Sequence, residues 1–487
     1  VTNSYAVNDV VASGSNSGGI VGNNQSSTIT ASFFDRTVNA GMPDENDYGK
    51  TTSEMNDPCL YYSSGWDFEG ETDNGSEDLW TINNSDNNGY PALSWQNYSN
   101  NSPQNPTDGG TIADAQTICY NTQPNSLTSV SEATGHYGTL EYKWQKSTTN
   151  ASQDLTDISS SNSAAYSPGT LTSTTWYRRL ARVSCIQDGW QTAAISNVIE
   201  MTVRDDFNPG AIKTTGETIC YGDNPAEIGS DTDASGGDET ITYKWEFSTD
   251  DFATAGTEIS GATSSTYDPP SGLTETTNYR RYAHDGTCNT SFEQSTGTWK
   301  VTVYEEFDPG EIQSAGETIC YDGDPSEIGS TTDASGGDET ITYKWELSTD
   351  DFATAGTEIS GATSSTCDPL SGLTETTSYR RYAHDGTCNT SFEQSTGTWK
   401  VTVQPKPVSN AGADATIVED QSHTFTGASV NHEDAFYWST SGNGQFSSTT
   451  ALNPEYTPGS DDIDAGTVDL TLTATPITPC SINAVDA

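Results

Sequence analysis

The feature that most constrains this chain is an internal duplication. Residues 206–303 and 306–403 align without a gap at a spacing of 100 residues, and they differ at 15 of 98 positions. A more diverged copy, residues 111–203, keeps the same order of motifs, with a Tyr-Lys-Trp run and a double arginine between two cysteines. Three copies of about 100 residues predict a series of small, equivalent folded modules rather than one large core.

Within one copy the residue pattern is that of β-strands. Ile241, Tyr243, Trp245 and Phe247 alternate with polar residues, a period of two that turns one face of the strand toward a core. Clusters of Gly, Pro, Asp and Ser, such as residues 268–272, separate these runs and are typical of turns. About seven short strands in about 100 residues, with one tryptophan between two cysteines, predict an immunoglobulin-like sandwich. The predicted fold class is therefore all-β.

The flanking segments differ from the repeats. In chain order we predict the C-terminal end of a β-solenoid with its cap, a linker, three immunoglobulin-like sandwiches and a further sandwich, at residues 1–98, 99–110, 111–203, 206–303, 306–403 and 408–487. The last segment ends seven residues after Cys480, whereas in the repeats the second cysteine precedes the end of the final strand by 15 residues. We therefore expect its closing strand to be missing, and we expect the chain to be part of a longer protein.

The charge and the hydrophobicity of the chain argue against nucleic-acid binding and against a membrane-spanning segment. The chain has 69 acidic and 18 basic residues, a formal net charge of −51, and it lacks the basic surface with which a nucleic-acid-binding protein displaces counterions. No apolar run approaches the roughly 20 residues that would cross a bilayer. With 23 Tyr, 11 Trp and 13 Phe the chain is nevertheless too aromatic to be disordered, which favours folded modules with small cores.

The nine cysteines give three equivalent pairs and three residues left over. The pairs are separated by 66, 68 and 68 residues, and they are Cys119 with Cys185, Cys220 with Cys288, and Cys320 with Cys388. Equivalent placement in repeated sandwiches predicts one disulfide inside each module, and therefore an oxidising compartment outside the cell. Reduced, buried thiols are the alternative. The cysteines predicted to be unpaired are Cys59, Cys367 and Cys480.

No motif predicts catalysis. Gly49-Lys50-Thr51-Thr52 has the end of a phosphate-binding loop, but Asp44 stands where the pattern requires a glycine. The five histidines do not pair at metal-ligand spacing, and there is no Gly-x-Ser-x-Gly elbow. His284 and His384 occupy the same His-Asp-Gly-Thr-Cys turn, where packing beside a disulfide is the simplest role. We therefore expect a chain that is not an enzyme.

Acidic residues form the one candidate metal site. Oxygen donors at alternate positions before a glycine turn are typical of hard-cation loops, because calcium takes six to eight oxygen ligands. The candidate calcium ligands are Asp231, Asp233, Asp238 and Glu239. The match to such a loop is partial, because its twelfth position is Thr242 and the next copy has Thr331 in place of Asp231. A solvated acidic turn is the alternative interpretation.

Double arginines at 178–179, 280–281 and 380–381 recur at one strand position. We expect both arginines of each pair to bind neighbouring carboxylates.

The two ends of the chain resemble known families. Gly19-Ile20-Val21-Gly22, Gly65-Trp66-Asp67-Phe68 and Asn88-Gly89-Tyr90-Pro91 resemble the end of GLUG-motif β-helices. Ala411-Gly412-Ala413-Asp414, Leu452-Asn453-Pro454-Glu455-Tyr456 and Leu470-Thr471-Leu472-Thr473 resemble the PKD-like repeats of giant Bacteroidota surface proteins, including gliding-motility adhesins. The resemblance implies export by a type IX secretion system, display on the outer surface of a bacterium, and adhesion. The chain departs from it at Val418, where the family usually has a cysteine.

These observations lead to one main hypothesis. The chain is a non-catalytic segment of a cell-surface adhesin or extracellular filament protein, in which disulfide-stabilised modules form a stalk. Its partner is a surface glycan, a neighbouring surface protein or another copy of itself. The alternative is an accessory stalk or carbohydrate-binding region of a secreted polysaccharide-degrading enzyme, with Tyr61, Tyr62 or Tyr98 stacking on sugar rings.

Overall fold

In the computed structural model of the chain, β-strands form nearly all of the regular structure, which confirms the predicted all-β fold class. The structure describes residues 2–7, 20, 28–43, 47–69, 74–83, 85–98, 102–151 and 153–487. The first of two compact units comprises Val1–Ala211, Thr232–Tyr243 and Tyr282–Ser295, and the second comprises Ile212–Asp231, Lys244–Arg281 and Thr296–Ala487. Among the described residues, no helix has the length and apolarity needed to cross a bilayer.

The first unit begins with a small parallel sheet, in which Phe33–Asp35 lies between Tyr5–Ala6 and Gly49–Lys50. Short elements follow at Thr52–Met55, Pro58–Tyr62, Trp80–Thr81, Asn87–Gly89, Ala92–Leu93 and Ser94–Gln96. They share a largely aromatic core of Phe33, Met55, Tyr61, Trp66, Phe68, Ile82 and Tyr90. Of the glycine motif at 19–22, all but Ile20 lies outside the described residues.

Module 1, residues 111–203, also belongs to the first unit. Its main sheet has the strand order Thr156–Asp157, Leu140–Ser147, Thr175–Val183, Ile199–Val203 and Gln116–Ile118, and Ala194–Ile195 pairs with Thr175–Val183. Neighbouring strands are antiparallel, except that Gln116–Ile118 lies parallel to Ile199–Val203. Thr111–Ala113 and Thr128–Ser131 form a second pair of strands, and Ile112 of this pair joins the module core.

Module 3, residues 306–403, lies in the second unit and repeats this arrangement. Its main sheet has the order Glu317–Cys320, Trp399–Gln404, Thr377–His384, Thr342–Ser348 and Thr357–Glu358, with Glu393–Gln394 paired to Thr377–His384. Two short pairs complete it: Glu305–Asp308 with Ser335–Gly337, and Glu311–Ile312 with Ser330–Thr332. Module 2, residues 206–303, has equivalent strands at Ala211–Ile212, Glu217–Ile219, Ser230–Thr232, Thr242–Ser248, Thr257–Glu258, Thr277–His284, Glu293–Gln294 and Trp299–Val303.

The tail, residues 408–487, is smaller. Its three sheets pair Val408–Asn410 with Ser429–Asn431; His423–Thr424 and Gln445–Phe446 with Glu455–Thr457; and Glu433–Thr440 and Ala484–Asp486 with Leu470–Pro476. A short helix spans Ser460–Ala465. Residues 415–418, the counterpart of Gln116–Ile118 in module 1 and of Glu317–Cys320 in module 3, form no strand here.

Each module has one tryptophan that is completely buried. Trp144, Trp245 and Trp345 are each 0% exposed, and the indole N–H of each donates to a backbone carbonyl at 2.9 Å: Ser163, Ser264 and Ser364. The indole therefore fills the core without leaving its polar atom unsatisfied, as a buried tryptophan requires. Because these cores are small, single buried contacts account for a large share of each module's stability.

The two arginines of each double arginine have different environments. The first of each pair lies near the surface: Arg380 forms a two-nitrogen contact with Glu346, at 2.7 and 3.0 Å, as the sequence predicted. The second, Arg179, Arg281 or Arg381, is 0% exposed. Arg179 and Arg381 donate to backbone carbonyls and serine hydroxyls, so the expectation of an ion pair was wrong for these two. Adjacent residues of a strand face opposite sides of the sheet, which sends one arginine inward.

The buried arginine holds the start of its module in place. The guanidinium of Arg381 donates to the backbone carbonyls of Ser365 at 3.0 Å, Thr332 at 3.1 Å and Pro309 at 3.2 Å, and also to the hydroxyls of Ser330 and Ser395. Burial lowers the pKa of Arg381, but its planar donors are matched by acceptors on several segments. The backbone at Pro309, near the start of module 3, is thereby fixed against the sheet.

We predict that Arg381→Lys destabilises module 3 by about 3 kcal/mol, because a lysine cannot supply the five directed donors that these buried carbonyls and hydroxyls require. Arg380→Lys is the matched control, since it retains an ion pair with Glu346 and should cost about 1 kcal/mol or less. Amide hydrogen exchange across residues 377–384 of the full chain measures both. Equal protection in the two variants would contradict the structural role assigned to Arg381.

Candidate functional site: the cysteine junctions

Each disulfide joins two different modules. The sequence predicted bonds within modules, Cys119 to Cys185, Cys220 to Cys288 and Cys320 to Cys388, and this pairing was wrong. The structure instead has Cys59–Cys185, Cys119–Cys288, Cys220–Cys388 and Cys320–Cys480, with Cα–Cα distances of 5.3 to 5.4 Å. These distances suit a disulfide. The prediction that Cys59 and Cys480 are unpaired was also wrong, whereas Cys367 is free, as predicted.

The pairing follows a single rule. In each module the first cysteine lies at the end of the strand that is parallel to the module's last strand: Cys320 is the last residue of Glu317–Cys320, and Cys119 and Cys220 directly follow Gln116–Ile118 and Glu217–Ile219. The second cysteine lies in a loop after the long central strand, as Cys388 follows Thr377–His384. Each first cysteine bonds to the second cysteine of the following module. We call each such bond, with the loop and strand end that carry it, a cysteine junction.

Both ends of the series fit this rule. Cys59, in the helix Pro58–Tyr62, acts as the first cysteine for module 1, and Cys480 is the second cysteine of the tail. The tail itself has Val418 where a first cysteine would stand, and this side chain is 72% exposed. When each first cysteine bonds to the second cysteine of the next module rather than of its own, every cysteine except Cys367 has a partner.

A buried carboxylate shapes the loop that presents the second cysteine of module 2. Asp285 is 5% exposed, and its Oδ1 accepts the backbone N–H groups of Cys288 at 2.7 Å and of Thr287 and Asn289 at 2.8 Å. Burial alone would raise the pKa of Asp285, but the backbone amides of Asn289, Thr287 and Cys288 outweigh it and lower this pKa. The charged carboxylate of Asp285, three residues before Cys288, therefore fixes the conformation of this loop.

The same loop leaves no room for a side chain at Gly237. This residue has φ +63°, and a Cβ placed on it would lie 1.5 Å from Oδ2 of Asp285. Gly337 has the same relation to Asp385 in module 3, where Oδ1 of Asp385 accepts the N–H groups of Thr387, Cys388 and Asn389 at 2.8 to 2.9 Å. The motif His-Asp-Gly-Thr-Cys is thus the sequence of a cysteine-presenting loop.

Aromatic residues flank the cysteine junctions. The imidazole of His284 packs on Phe292, with ring centroids 4.0 Å apart, and His384 packs on Phe392 at 4.1 Å. Next to Cys320 in the chain, the ring of Tyr321 lies 4.8 Å from Nζ of Lys406, which lies between module 3 and the tail.

The first junction differs because its partner is a helix. Asp57 caps the helix by accepting the N–H of Cys59 at 2.9 Å, and it also accepts the hydroxyl of Thr139 in module 1. Gly138, with φ +113°, lies beside the sulfur: a Cβ there would be 3.0 Å from Sγ of Cys59 and 2.6 Å from Val183. A glycine is therefore required where module 1 meets this disulfide.

The candidate calcium ligands do not form a site. Asp231, Asp233 and Glu239 are exposed. Asp238 accepts the hydroxyl of Thr287 and the N–H of Thr240, which lower the pKa of Asp238. Across the part of the chain that the structure describes, no group of three or more His, Cys, Asp or Glu side chains is placed to hold a metal ion.

The aromatic residues proposed for sugar binding also differ in exposure. Tyr61 is 0% exposed and its hydroxyl donates to the carbonyl of Met55 at 2.6 Å, so it is a core residue. Tyr62 is half-buried, and Tyr98 is 39% exposed. Sequence reasoning missed Trp95, whose side chain is 73% exposed. Its position just before the linker was the available signal.

Cys367 is a packing residue. It is 4% exposed, it lies in the core of module 3 with Trp345 and Tyr379, and burial raises the pKa of its thiol to about 11. A thiol that stays protonated at neutral pH is a poor nucleophile and exchanges slowly with disulfides. This explains how it can remain free beside eight bonded cysteines.

We predict that peptide mapping without reduction will find the four bonds of the cysteine junctions. Because residues 282–300 and 382–400 are identical in sequence, Cys288 and Cys388 must first be distinguished by mass. Ser291→Ala, at an exposed position, marks the module 2 peptide. Cys119 should be joined to the marked peptide and Cys220 to the unmarked one. Cys220 joined to the marked peptide would restore the within-module pairing.

We predict that Asp285→Ala increases hydrogen exchange at the amides of residues 287–289 by about 30-fold at neutral pH, since a hydrogen bond to a charged group contributes about 2 kcal/mol. The lowered pKa means that this contribution is complete above the unfolded carboxyl's pKa and disappears as the pH falls through the folded pKa. The difference between the variant and the wild type should therefore shrink in acid. Asp231→Ala, an exposed carboxylate, is the control.

Among solved structures, the chain is similar to titin domains I67–I69 in an E-to-A mutated variant, with 12% identity and a TM-score of 0.31 over 60% of this chain and 95% of that chain. It is similar to protocadherin gamma B2 extracellular cadherin domains 3–6, with 11% identity and a TM-score of 0.34 over 79% and 98%. Mouse cadherin-23 EC22–24 aligns with 14% identity and a TM-score of 0.36 over 63% and 100%. No curated protein matches the chain.

One family model matches the repeats. It is described as "Domain of unknown function (DUF8696)", and it matches residues 108–205, 208–305 and 308–405, which together are more than half of the chain. The chain therefore belongs to this family, and it contains the family's domain in three tandem copies.

Proposed function

We propose that this chain is a non-catalytic segment of a secreted, surface-displayed adhesin or extracellular filament protein, in which the modules serve as a stalk. The observation that carries the proposal is the unbroken series of four cysteine junctions, each linking one module to the next. Bonds of this kind resist a pull between modules, which a chain of independent enzyme domains has no need to do. Structural disulfides also place the chain in an oxidising, extracellular compartment.

The composition of the modules supports a spacer role. Their buried side chains are used for structure: Trp345 fills a core, Arg381 binds backbone carbonyls, and Asp385 organises a loop. Modules 2 and 3 are also strongly acidic, which keeps neighbouring molecules apart. The recognition surface would then lie outside the repeats.

The bacterial location, the export route and the adhesive role in this proposal come from the sequence resemblance. Its GLUG-like and PKD-like motifs favour a bacterial cell surface, export by type IX secretion and adhesion to a glycan or a neighbouring surface protein. The short parallel strands Tyr5–Ala6, Phe33–Asp35 and Gly49–Lys50 support a solenoid end before the modules, since parallel pairing of short strands is how solenoid coils stack.

We predict that deleting residues 221–320 from the full protein leaves ligand binding unchanged and shortens its reach by about 35 Å, the size of one module. This deletion joins Cys220 to Tyr321 and keeps the order of first and second cysteines. Cryo-electron tomography of the displaying cells measures the reach, and a solution binding assay measures affinity. Loss of binding would place recognition in the repeats and contradict the stalk role.

A second candidate function is carbohydrate binding, favoured by the exposed Trp95. An exposed indole face stacks on sugar rings, and Tyr98 lies three residues further along. A glycan array with the intact chain, compared with Trp95→Ala, tests this function. Signal lost in the variant supports it, and a blank array with the intact chain counts against it. In this case the modules would be the accessory region of a polysaccharide-degrading enzyme.

A further inference from the structure

Successive disulfide loops overlap along the chain. The loop closed by Cys59–Cys185 contains Cys119, and the loop closed by Cys119–Cys288 contains Cys220. The loop closed by Cys220–Cys388 contains Cys320, whose bond to Cys480 closes the last loop. Every peptide bond between Cys59 and Cys480 therefore lies inside at least one disulfide loop. Bonds within modules would leave the linkers outside any loop.

The overlap produces two covalent routes through the molecule. One runs along the backbone from Cys59 to Cys119, crosses to Cys288, follows the backbone to Cys320 and crosses to Cys480. The other crosses from Cys59 to Cys185, follows the backbone to Cys220, and crosses to Cys388 before reaching Cys480. The two routes have no backbone residue in common between their shared ends, so a break in one leaves the other intact.

We infer that the cysteine junctions form a double covalent tether, which keeps the ends of this segment joined after any single backbone cut and limits their separation even when modules unfold. The tether and the proposed stalk role rest on the same disulfides, but different experiments test them: deletion of residues 221–320 tests the stalk role, and a single backbone cut tests the tether. The tether would make the segment resistant to proteases and to mechanical force outside the cell, where a damaged chain is not readily replaced.

The linker between modules 1 and 2 allows a direct test. Asp205 and Asp206 are exposed, and Cys119–Cys288 is the one disulfide whose loop encloses them. A specific protease site inserted between these two residues permits a single cut in the otherwise complete, oxidised chain. On a non-reducing gel the cut protein should keep its full mass, and reduction should release fragments of about 205 and 282 residues. Two fragments without reduction would overturn the inference.

Matched double variants locate the responsible bond. Cys119→Ser with Cys288→Ser should allow the cut chain to separate without reduction, because no other loop encloses the site. Cys220→Ser with Cys388→Ser removes an equivalent bond elsewhere and should leave the cut chain joined. If the inserted site disturbs folding, the exposed residues Pro405 and Lys406 provide a second cutting position, enclosed by the Cys320–Cys480 loop. Separation of the otherwise wild-type chain at either position would contradict the tether.

Stretching the chain gives an independent measurement. The shorter route contains the 60 residue steps from Cys59 to Cys119 and the 32 from Cys288 to Cys320, or about 320 Å when fully extended at about 3.5 Å per residue. Single-molecule pulling between handles at the two ends of this segment should therefore stop near this length. The reduced chain should extend to about 1,500 Å, and bonds within modules would allow about 770 Å. A maximum extension near about 770 Å for the oxidised chain would overturn the inference.

Discussion

The disulfide between one module's first cysteine and the next module's second cysteine is the contact on which the rest of this structure depends. For such a bond to form, the end of a strand in one module and a loop of the next must be held within about 5 Å. Asp285 fixes the loop through three amides, and Gly237 provides the space that this carboxylate occupies. Arg381 fixes the backbone near the start of its own module. The buried polar groups of the modules therefore serve the junctions as well as the cores.

Such bonds compensate for weak cores. Modules 2 and 3 are strongly acidic, so each repels itself. The core of each module is a small cluster of one or two tryptophans, a tyrosine and a few other apolar side chains. On the chain-entropy model, a single loop with a sequence separation of 168 stabilises the folded state by about 5 kcal/mol, which is comparable to the whole stability of a small domain. Linking neighbours also makes the stability of each module depend on the next.

The fold followed from local pattern, whereas the pairing of cysteines did not. A period of two around Trp245, turn residues between strands and a repeat of 100 residues are local signals, and they were sufficient for a β-sandwich. In a repeat, however, a spacing of 68 residues within modules and one of 168 between modules are equally regular, so spacing cannot choose between them. The cysteines left over were the available signal, because Cys59 before the first module and Val418 in the tail are what a shift of one module requires.

The double arginines and the acidic turn show a second limit of prediction from the sequence. Strand alternation could have shown that only one of Arg380 and Arg381 faces solvent, but it could not show that the inward one would bind carbonyls rather than a carboxylate. Asp238 likewise resembled a metal ligand in sequence, and its actual partners, Thr287 and Thr240, include one that is distant in the chain. Contacts between distant segments decide such roles.

The order of the cysteines also constrains how this protein can be made. Along the chain, Cys119 lies between Cys59 and its partner Cys185, and Cys220 lies between Cys119 and its partner Cys288. Pairing of cysteines in the order in which they are synthesised would therefore join the wrong neighbours. Correct pairing requires either that the modules fold before their cysteines are oxidised, or that wrongly formed disulfides are exchanged afterwards.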